Sequence, residues 1–245
     1  MPTLLSVNLN KIALIRNSRG RDYPSIVHFA ALVLEAGAAG VTIHPRPDQR
    51  HARYADVAAL KAVVERFPGA ELNIEGYPDR QFLDVVLAAR PQQCTLVPDE
   101  PGQLTSDHGW NIVRDAARLA PIVAELKAAG IRVSLFVDPD IAQIDAAPAT
   151  GTDRVELYTE GYAHGYEQGE WLGEWHKHAA AAARARELGL GLNAGHDLNL
   201  DNLANFVRIP GIEEVSIGHA LTVEALQYGF ADVVRRYVAI LKAVA

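Results

Sequence analysis

Four short motifs place titrating side chains in or just after apolar, β-branched stretches: Thr42-Ile43-His44, Asn73-Ile74-Glu75, Val155-Glu156-Leu157 and Asn193-Ala194-Gly195-His196. A carboxyl group withdrawn from water has a raised pKa, and an imidazole titrates near pH 6.5. Such a set could move protons in both directions near neutral pH. Glu75 is the sharpest candidate, a general base if it sits partly desolvated at a strand end. The competing reading is a Glu paired with an Arg, whose pKa would fall instead. His44 and His196 are candidates for proton transfer. Glu156 either orients one of them or stabilises a cationic intermediate, the alternative being a buried structural salt bridge. The other histidines (His28, His108, His164, His176 and His178) read as surface residues apart from His51 and His219, which stand near strand ends.

Charge adds a substrate class. The first 53 residues hold seven Lys+Arg (Lys11, Arg16, Arg19, Arg21, Arg46, Arg50, Arg53) against three acids, in a chain whose formal charge is −7. Arginine forks bind phosphate or carboxylate through two parallel hydrogen bonds, so a small anion is expected there. Gly218-His219-Ala220 ahead of the last helical stretch offers backbone N–H groups at a helix N-terminus, a second anion site. Two such sites facing one acid/base centre imply two phosphorylated substrates or one with two phosphates. The overall acidity and the lack of aromatics between the arginines argue against nucleic acid.

The elements that must position these residues alternate along the whole chain. Strand-like runs at Leu4 to Leu9, Gly40 to His44, Glu71 to Glu75, Cys94 to Val97, Arg132 to Val137, Arg154 to Tyr158, Gly191 to Ala194 and Glu214 to Ile217 are each followed by a helical pattern. The last helix is expected from about Thr222 to Val244. The segment after the first run reads as a polar loop, and that after the sixth as a Gly/Tyr-rich loop. Eight strand-helix repeats in 245 residues, with no linker and no Gly-rich nucleotide loop, predict an α/β fold made of a single (β/α)8 TIM barrel over residues 1–245. In such barrels the active site lies at the C-terminal strand ends, where the four motifs fall. The chain has one cysteine, Cys94, expected to be buried, which excludes an internal disulfide and suits a reducing, cytoplasmic setting. No apolar run approaches membrane-spanning length, so no membrane association is expected.

In chain order, the stretches Val7-Asn8-Leu9-Asn10-Lys11-Ile12-Ala13, Arg16-Asn17-Ser18-Arg19-Gly20, His44-Pro45-Arg46-Pro47-Asp48-Gln49-Arg50-His51, Asn73-Ile74-Glu75, Leu96-Val97-Pro98 with Thr105, Val133-Ser134-Leu135-Phe136-Val137-Asp138, Asn193-Ala194-Gly195-His196 and Ile217-Gly218-His219-Ala220 resemble the pyridoxine 5'-phosphate synthase family along nearly the whole chain. The resemblance implies a barrel enzyme of vitamin B6 synthesis without metal or other cofactor. It would condense 3-amino-2-oxopropyl phosphate with 1-deoxy-D-xylulose 5-phosphate, releasing phosphate and water. It further implies His44 and Glu75 as proton acceptors, His196 as proton donor and Glu156 as transition-state stabiliser. Asn8, Arg19, Gly218 and His219 would hold the aminoketone phosphate, and Arg46, His51 and Thr105 the pentulose phosphate. A homo-octamer built from dimers is the implied assembly.

This chain departs from the family pattern at three places. Asn10-Lys11 stands where Asp-His is common, Asp197 where a Gly follows the donor His, and Glu156-Leu157-Tyr158 with Glu160-Gly161 where a second His and a Gly-Cys pair are common. Asn10, Lys11 and Asp197 are therefore expected at the substrates, with binding retained and pH dependence altered. Two other readings compete: a metal-dependent barrel hydrolase or isomerase using the same His and Glu residues, and a non-catalytic phosphate-binding relative.

Overall fold

The computed structural model describes residues 2–99, 103 and 106–244. Eight parallel strands close into a barrel in sequence order: β1 (Leu4–Asn8), β2 (Gly40–Ile43), β3 (Glu71–Gly76), β4 (Gln93–Leu96), β5 (Arg132–Val137), β6 (Arg154–Tyr158), β7 (Gly191–Gly195) and β8 (Ile212–Ile217). Closure is made by β1 against β8, with Leu5 opposite Val215 and Val7 opposite Ile217. The expected single barrel is thus the observed fold.

Successive strand residues face opposite sides of a sheet. One set, including Val7, Val41, Ile43, Leu72, Ile74, Cys94, Leu135, Leu157, Leu192 and Val215, is buried in the hydrophobic layer between sheet and helices. The other set is polar apart from residues such as Phe136, and several of its bonds join strands that are not neighbours, so they cross the lumen. Gln93 on β4 donates to Glu214 on β8 at 3.2 Å, Thr95 on β4 reaches Glu156 on β6 at 3.4 Å, and Arg132 on β5 pairs with Glu71 on β3. Ser6, Thr42, Asn73 and Thr95 continue this ladder through hydroxyl and amide contacts. Many parallel barrels fill this space with branched apolar side chains. Here it is occupied mostly by hydrogen-bonded polar groups, the buried Ser134 Oγ on β5 being without a partner among the described residues.

The outer helices follow the expected positions with three differences. Helix α1 (Asn10–Asn17) occupies the segment expected to be a polar loop. Its buried face is Ile12, Ala13 and Arg16, and Arg16 is only 1% exposed because its guanidinium grips Asp56 at 2.7 and 2.9 Å. Asp56 in turn accepts from the Arg53 N–H at the start of α3 (Tyr54–Val64), after α2 (Ile26–Glu35). Past α4 (Arg80–Ala89), α5 (Ile112–Ala128) and α6 (Ile141–Ala146), a second unexpected helix, α7 (Glu160–Gln168), buries Tyr162, whose hydroxyl donates to Asn202 O at 2.8 Å. After α8 (Leu172–Glu187) and α9 (Leu203–Phe206), the expected last helix is two: α10 (His219–Tyr228) and α11 (Phe230–Ala243), broken at Gly229. His178, expected at the surface, is fully buried on α8, its ring nitrogens 2.8 Å from Glu174 O and 2.9 Å from Tyr158 O. It ties that helix to the end of β6.

The break at Gly229 has φ +85° and ψ +145°, a conformation open to glycine and strained for side chains with a Cβ. Gly229→Ala is expected to lose about 1–3 kcal/mol of stability, read as a lower denaturant midpoint. An unchanged midpoint would show that the bend relaxes without cost.

Candidate active site

The C-terminal strand ends open onto one cavity of about 560 Å³. Its walls include Asn8, Asn10, Lys11, His44, Arg46, His51, Glu75, Glu156, His196, Asp197, Gly218 and His219. Twelve of the fourteen site residues expected from sequence therefore meet at one place. Arg19 does not: it follows α1 on an exposed turn and is absent from the wall. Thr105 lies outside the described residues.

Asn8 and Asn10 have their polar atoms engaged by neighbouring strand ends. Asn8 donates to Glu75 at 3.3 Å and accepts from the Asn10 N–H at 3.0 Å, while Asn10 Oδ1 accepts from the His44 N–H at 2.9 Å. These bonds lock the first strand-end segment to β2 and β3. His44 Nδ1 stands 4.0 Å from Glu75 Oε2, beyond hydrogen-bond distance.

Burial governs the acidity of the group. It pushes the Glu75 carboxyl well above its ordinary value, and the neighbouring Glu156, Asp99 and Glu214 carboxyls add to the shift. Glu156 is raised to about 8, first by burial and then by Glu214. Among the described residues Glu75 meets Asn8 and His44 and no Arg, so the Arg-paired alternative finds no partner there. His44 is pushed well below the ordinary imidazole range by burial, then by Arg46, His51 and Arg50. His51 falls to about 4 for the same reason, with Arg46 and Arg50 as the main charges. Burial also lowers His196, while Asp197, whose Oδ2 is 3.7 Å from its Nε2, opposes that shift. Burial thus favours the neutral forms of Glu75, Glu156, His44, His51 and His196 alike.

Backbone geometry aims the last pair. His196 and Asp197 both have positive φ, +93° and +59°, in the turn after β7. Thr159 bonds the carbonyl oxygens of Gly195 and His196, and Asn202 Nδ2 donates to Asp197 O at 3.2 Å. Gly195 itself is required by Glu156: a Cβ there would lie 2.6 Å from Glu156 Oε1. Gly218 is likewise pressed against Asn8, where a Cβ would come within 2.9 Å of the Asn8 Cβ. That contact brings the N-terminus of α10 to the cavity wall.

The basic cluster is smaller than the sequence suggests. Arg16 is consumed by Asp56, Arg53 bonds Asn17, and Arg19 and Arg21 are exposed. Lys11, Arg46, Arg50 and His51 line the cavity, Arg46 paired with Asp99 and Arg50 with Asp48. Two polar residues around the site escape the sequence reading. Thr95 links Asn73 to Glu156, and Asp99 is buried with its Oδ2 on Arg46 and on the Ser106 hydroxyl. Their only sequence signal is a place on or just past the fourth strand, where the apolar Leu96-Val97-Pro98 run masks them.

Comparison with known proteins decides the family. A family model described as "Pyridoxal phosphate biosynthesis protein PdxJ" matches residues 5–243. The chain belongs to this family. A protein of Brucella anthropi named pyridoxine 5'-phosphate synthase is 52% identical over 244 residues, covering 98% of this chain and 100% of that protein. One from Brucella abortus (strain S19), of the same name, is 51% identical over 98% of this chain and 99% of its own length. Among solved structures, KGPDC from Streptococcus mutans superposes with a TM-score of 0.65 at 14% identity, over 99% of this chain and 98% of that one. Phosphoribosylanthranilate isomerase from Thermotoga maritima gives a TM-score of 0.63 at 15% identity, over 98% and 99%. These two likenesses establish the barrel alone.

Glu156 is protonated in the folded chain up to about pH 8, whereas an unfolded glutamate ionises near pH 4.3. Between those values the folded state binds more protons, so stability falls as pH rises. The thermal midpoint is expected to drop across this window, and Glu156→Gln to flatten the drop, measured by calorimetry in a pH series. A parallel slope in the variant would mean that Glu156 is ionised in the folded protein.

Proposed function

We propose that this barrel condenses 3-amino-2-oxopropyl phosphate with 1-deoxy-D-xylulose 5-phosphate, closing the pyridine ring of pyridoxine 5'-phosphate with loss of phosphate and water. The activity is pyridoxine 5'-phosphate synthesis, the enzymatic function of the family to which the chain belongs. The observation that carries the substrate reading is the convergence of His44, Glu75, Glu156 and His196 with Lys11, Arg46 and the α10 N-terminus on one cavity. Ring closure needs repeated enolisation, imine formation and dehydration, which call for several acids and bases of different strength rather than one nucleophile.

In this reading the α10 N-terminus, with Gly218 and His219, holds the aminoketone phosphate, and Arg46 with His51 holds the pentulose phosphate. The family resemblance adds Thr105, which lies outside the described residues. Lys11 supplies a fixed cation beside either anion, in place of a titrating group. Fixing amine and carbonyl in contact removes the entropy of a bimolecular encounter, worth up to roughly 7–11 kcal/mol in favourable cases. His44, neutral because of burial, accepts a proton from substrate carbon or nitrogen. Glu75 exchanges protons with it, and as a strong base when ionised takes the second. Glu156, neutral below about pH 8, donates a hydrogen bond to developing negative charge and, once ionised, steadies a cationic intermediate. His196, backed by Asp197, returns the proton to a departing oxygen. Asn8 and Asn10 hold the Glu75 and His44 ends in register.

The expected assembly is a homo-octamer built from dimers. Leu14 and Ile15 on α1, with Val223, Leu226 and Tyr228 on α10, leave apolar surface open to solvent, which supports contact between copies. A cytoplasmic location is supported by the free, buried Cys94.

The deciding assay gives EDTA-treated protein both substrates and quantifies pyridoxine 5'-phosphate and released phosphate together. Equal formation of both is expected, with Glu75→Gln slowed by about 10²–10⁴-fold. No turnover by the intact chain would overturn the reading. In that case bound metal would favour the hydrolase or isomerase alternative, and tight phosphate binding without metal a non-catalytic relative.

A further inference from the structure

Asp99 lies immediately beyond Pro98, past the end of β4, and is 4% exposed. Its Oδ2 pairs with Arg46 Nη2, accepts from Ser106 Oγ at 2.7 Å and stands 4.0 Å from His44 Nε2. Its Oδ1 is buried with no hydrogen-bond partner among the described residues. His44, Arg46 and Arg50 line both the main cavity and a smaller neighbouring one of about 110 Å³, whereas Asp99 lines only the smaller. Asp99 therefore reaches His44 and Arg46 from the smaller cavity and not from the wall of the larger one.

The His44 ring is held between two carboxyls, Glu75 at 4.0 Å from Nδ1 and Asp99 at 4.0 Å from Nε2. The two differ in what surrounds them. Asp99 is paired with a guanidinium, the environment of a carboxylate anion, and has an acceptor oxygen to spare. Glu75 has no Arg or Lys partner among the described residues, accepts from Asn8 Nδ2 at 3.3 Å, and is pushed toward its neutral, donating form by burial and by the charges of Glu156, Asp99 and Glu214. Around the ring, Arg46, Arg50 and His51 come from its own loop, Glu75 from β3 and Asp99 from the segment after β4, while Asn10 of α1 binds the backbone N–H. Only one neutral tautomer suits this pattern: N–H toward the anion and lone pair toward the acid.

We propose that Asp99 is a positioning residue for the general base, holding His44 as the Nε2–H tautomer so that Nδ1 is the proton-accepting atom, and tying that ring to the Arg46 clamp. A buried carboxylate behind an imidazole fixes tautomer and orientation in the same way in hydrolase triads. Both contacts are longer than a hydrogen bond, as catalytic contacts often are before substrate draws a site together. The inference rests on the proposed synthase reading for its kinetic arm alone, because the tautomer is a property of the free protein.

The test is ¹⁵N solid-state NMR of histidine-labelled protein near neutral pH, with His44→Gln used to assign the signal, beside kinetics of Asp99→Asn, Asp99→Ala and Asp99→Glu. The wild-type chain is expected to show His44 with Nε2 protonated and Nδ1 bare. The Ala variant, without an acceptor, shifts the population toward Nδ1–H, the Asn variant gives a mixture, and the Glu variant retains the wild-type pattern. In the synthase assay kcat falls at least about tenfold for Asn and Ala, short of the roughly 10⁴-fold loss known for a triad aspartate, and recovers in Glu. A fold defect would lower kcat in all three without moving the ¹⁵N pattern, and that result overturns the inference, as does a wild-type Nδ1–H tautomer. If the intact chain makes no pyridoxine 5'-phosphate, the functional reading fails and the ¹⁵N pattern alone decides the role of Asp99.

Discussion

The structure depends on satisfying polar groups buried inside a barrel. A buried carboxyl or amide costs free energy unless it is hydrogen-bonded, and a buried charge costs far more unless paired. The lumen meets this constraint with a ladder from Arg132 and Glu71 at one end, through Gln93, Glu214 and Asn193, to Thr95, Asn73 and Glu156 near the other. The apolar face of each strand is turned outward to the helices. This inversion lets acid side chains rise from the floor of the cavity instead of reaching over its rim.

Reactivity follows from the same constraint. Glu75, Glu156 and Glu214 share a buried interior, and each makes ionisation of the next harder. Lys11, Arg46 and Arg50 line the same cavity, Arg46 paired with the buried Asp99 and Arg50 with Asp48. The site therefore joins buried acids and fixed positive charge in the wall of one cavity, the combination on which the proposed handling of anionic substrates rests.

Much of this is legible in the sequence. The eight strand-helix repeats point to the barrel because each strand carries an apolar outer face, and the strand-end rule brings His44, Glu75, Glu156 and His196 together because a closed barrel leaves them no other place. What escapes has physical causes. Helix α1 looks like a loop because its buried face includes Arg16, an apolar position only by virtue of Asp56, 40 residues away. Asp99 has no local signature, since its importance comes from Arg46 and His44 on another strand. His178 reads as a surface residue because a lone histidine in a polar helix gives no hint of the two carbonyls that enclose it. Arg19 illustrates the reverse limit: a family motif carries the residue type, while the exposed turn after α1 keeps it off this cavity's wall.

The central claim is that burial keeps carboxylic acids of the lumen neutral at neutral pH. Infrared difference spectroscopy across a pH titration reads it directly, because a protonated carboxyl has a C=O stretch distinct from that of a carboxylate. The account predicts a protonated-carboxyl band that survives at neutral pH, loses one component near pH 8, and lacks that component in Glu156→Gln. Loss of every such band by the ordinary carboxylate range, near pH 4.3, would contradict it.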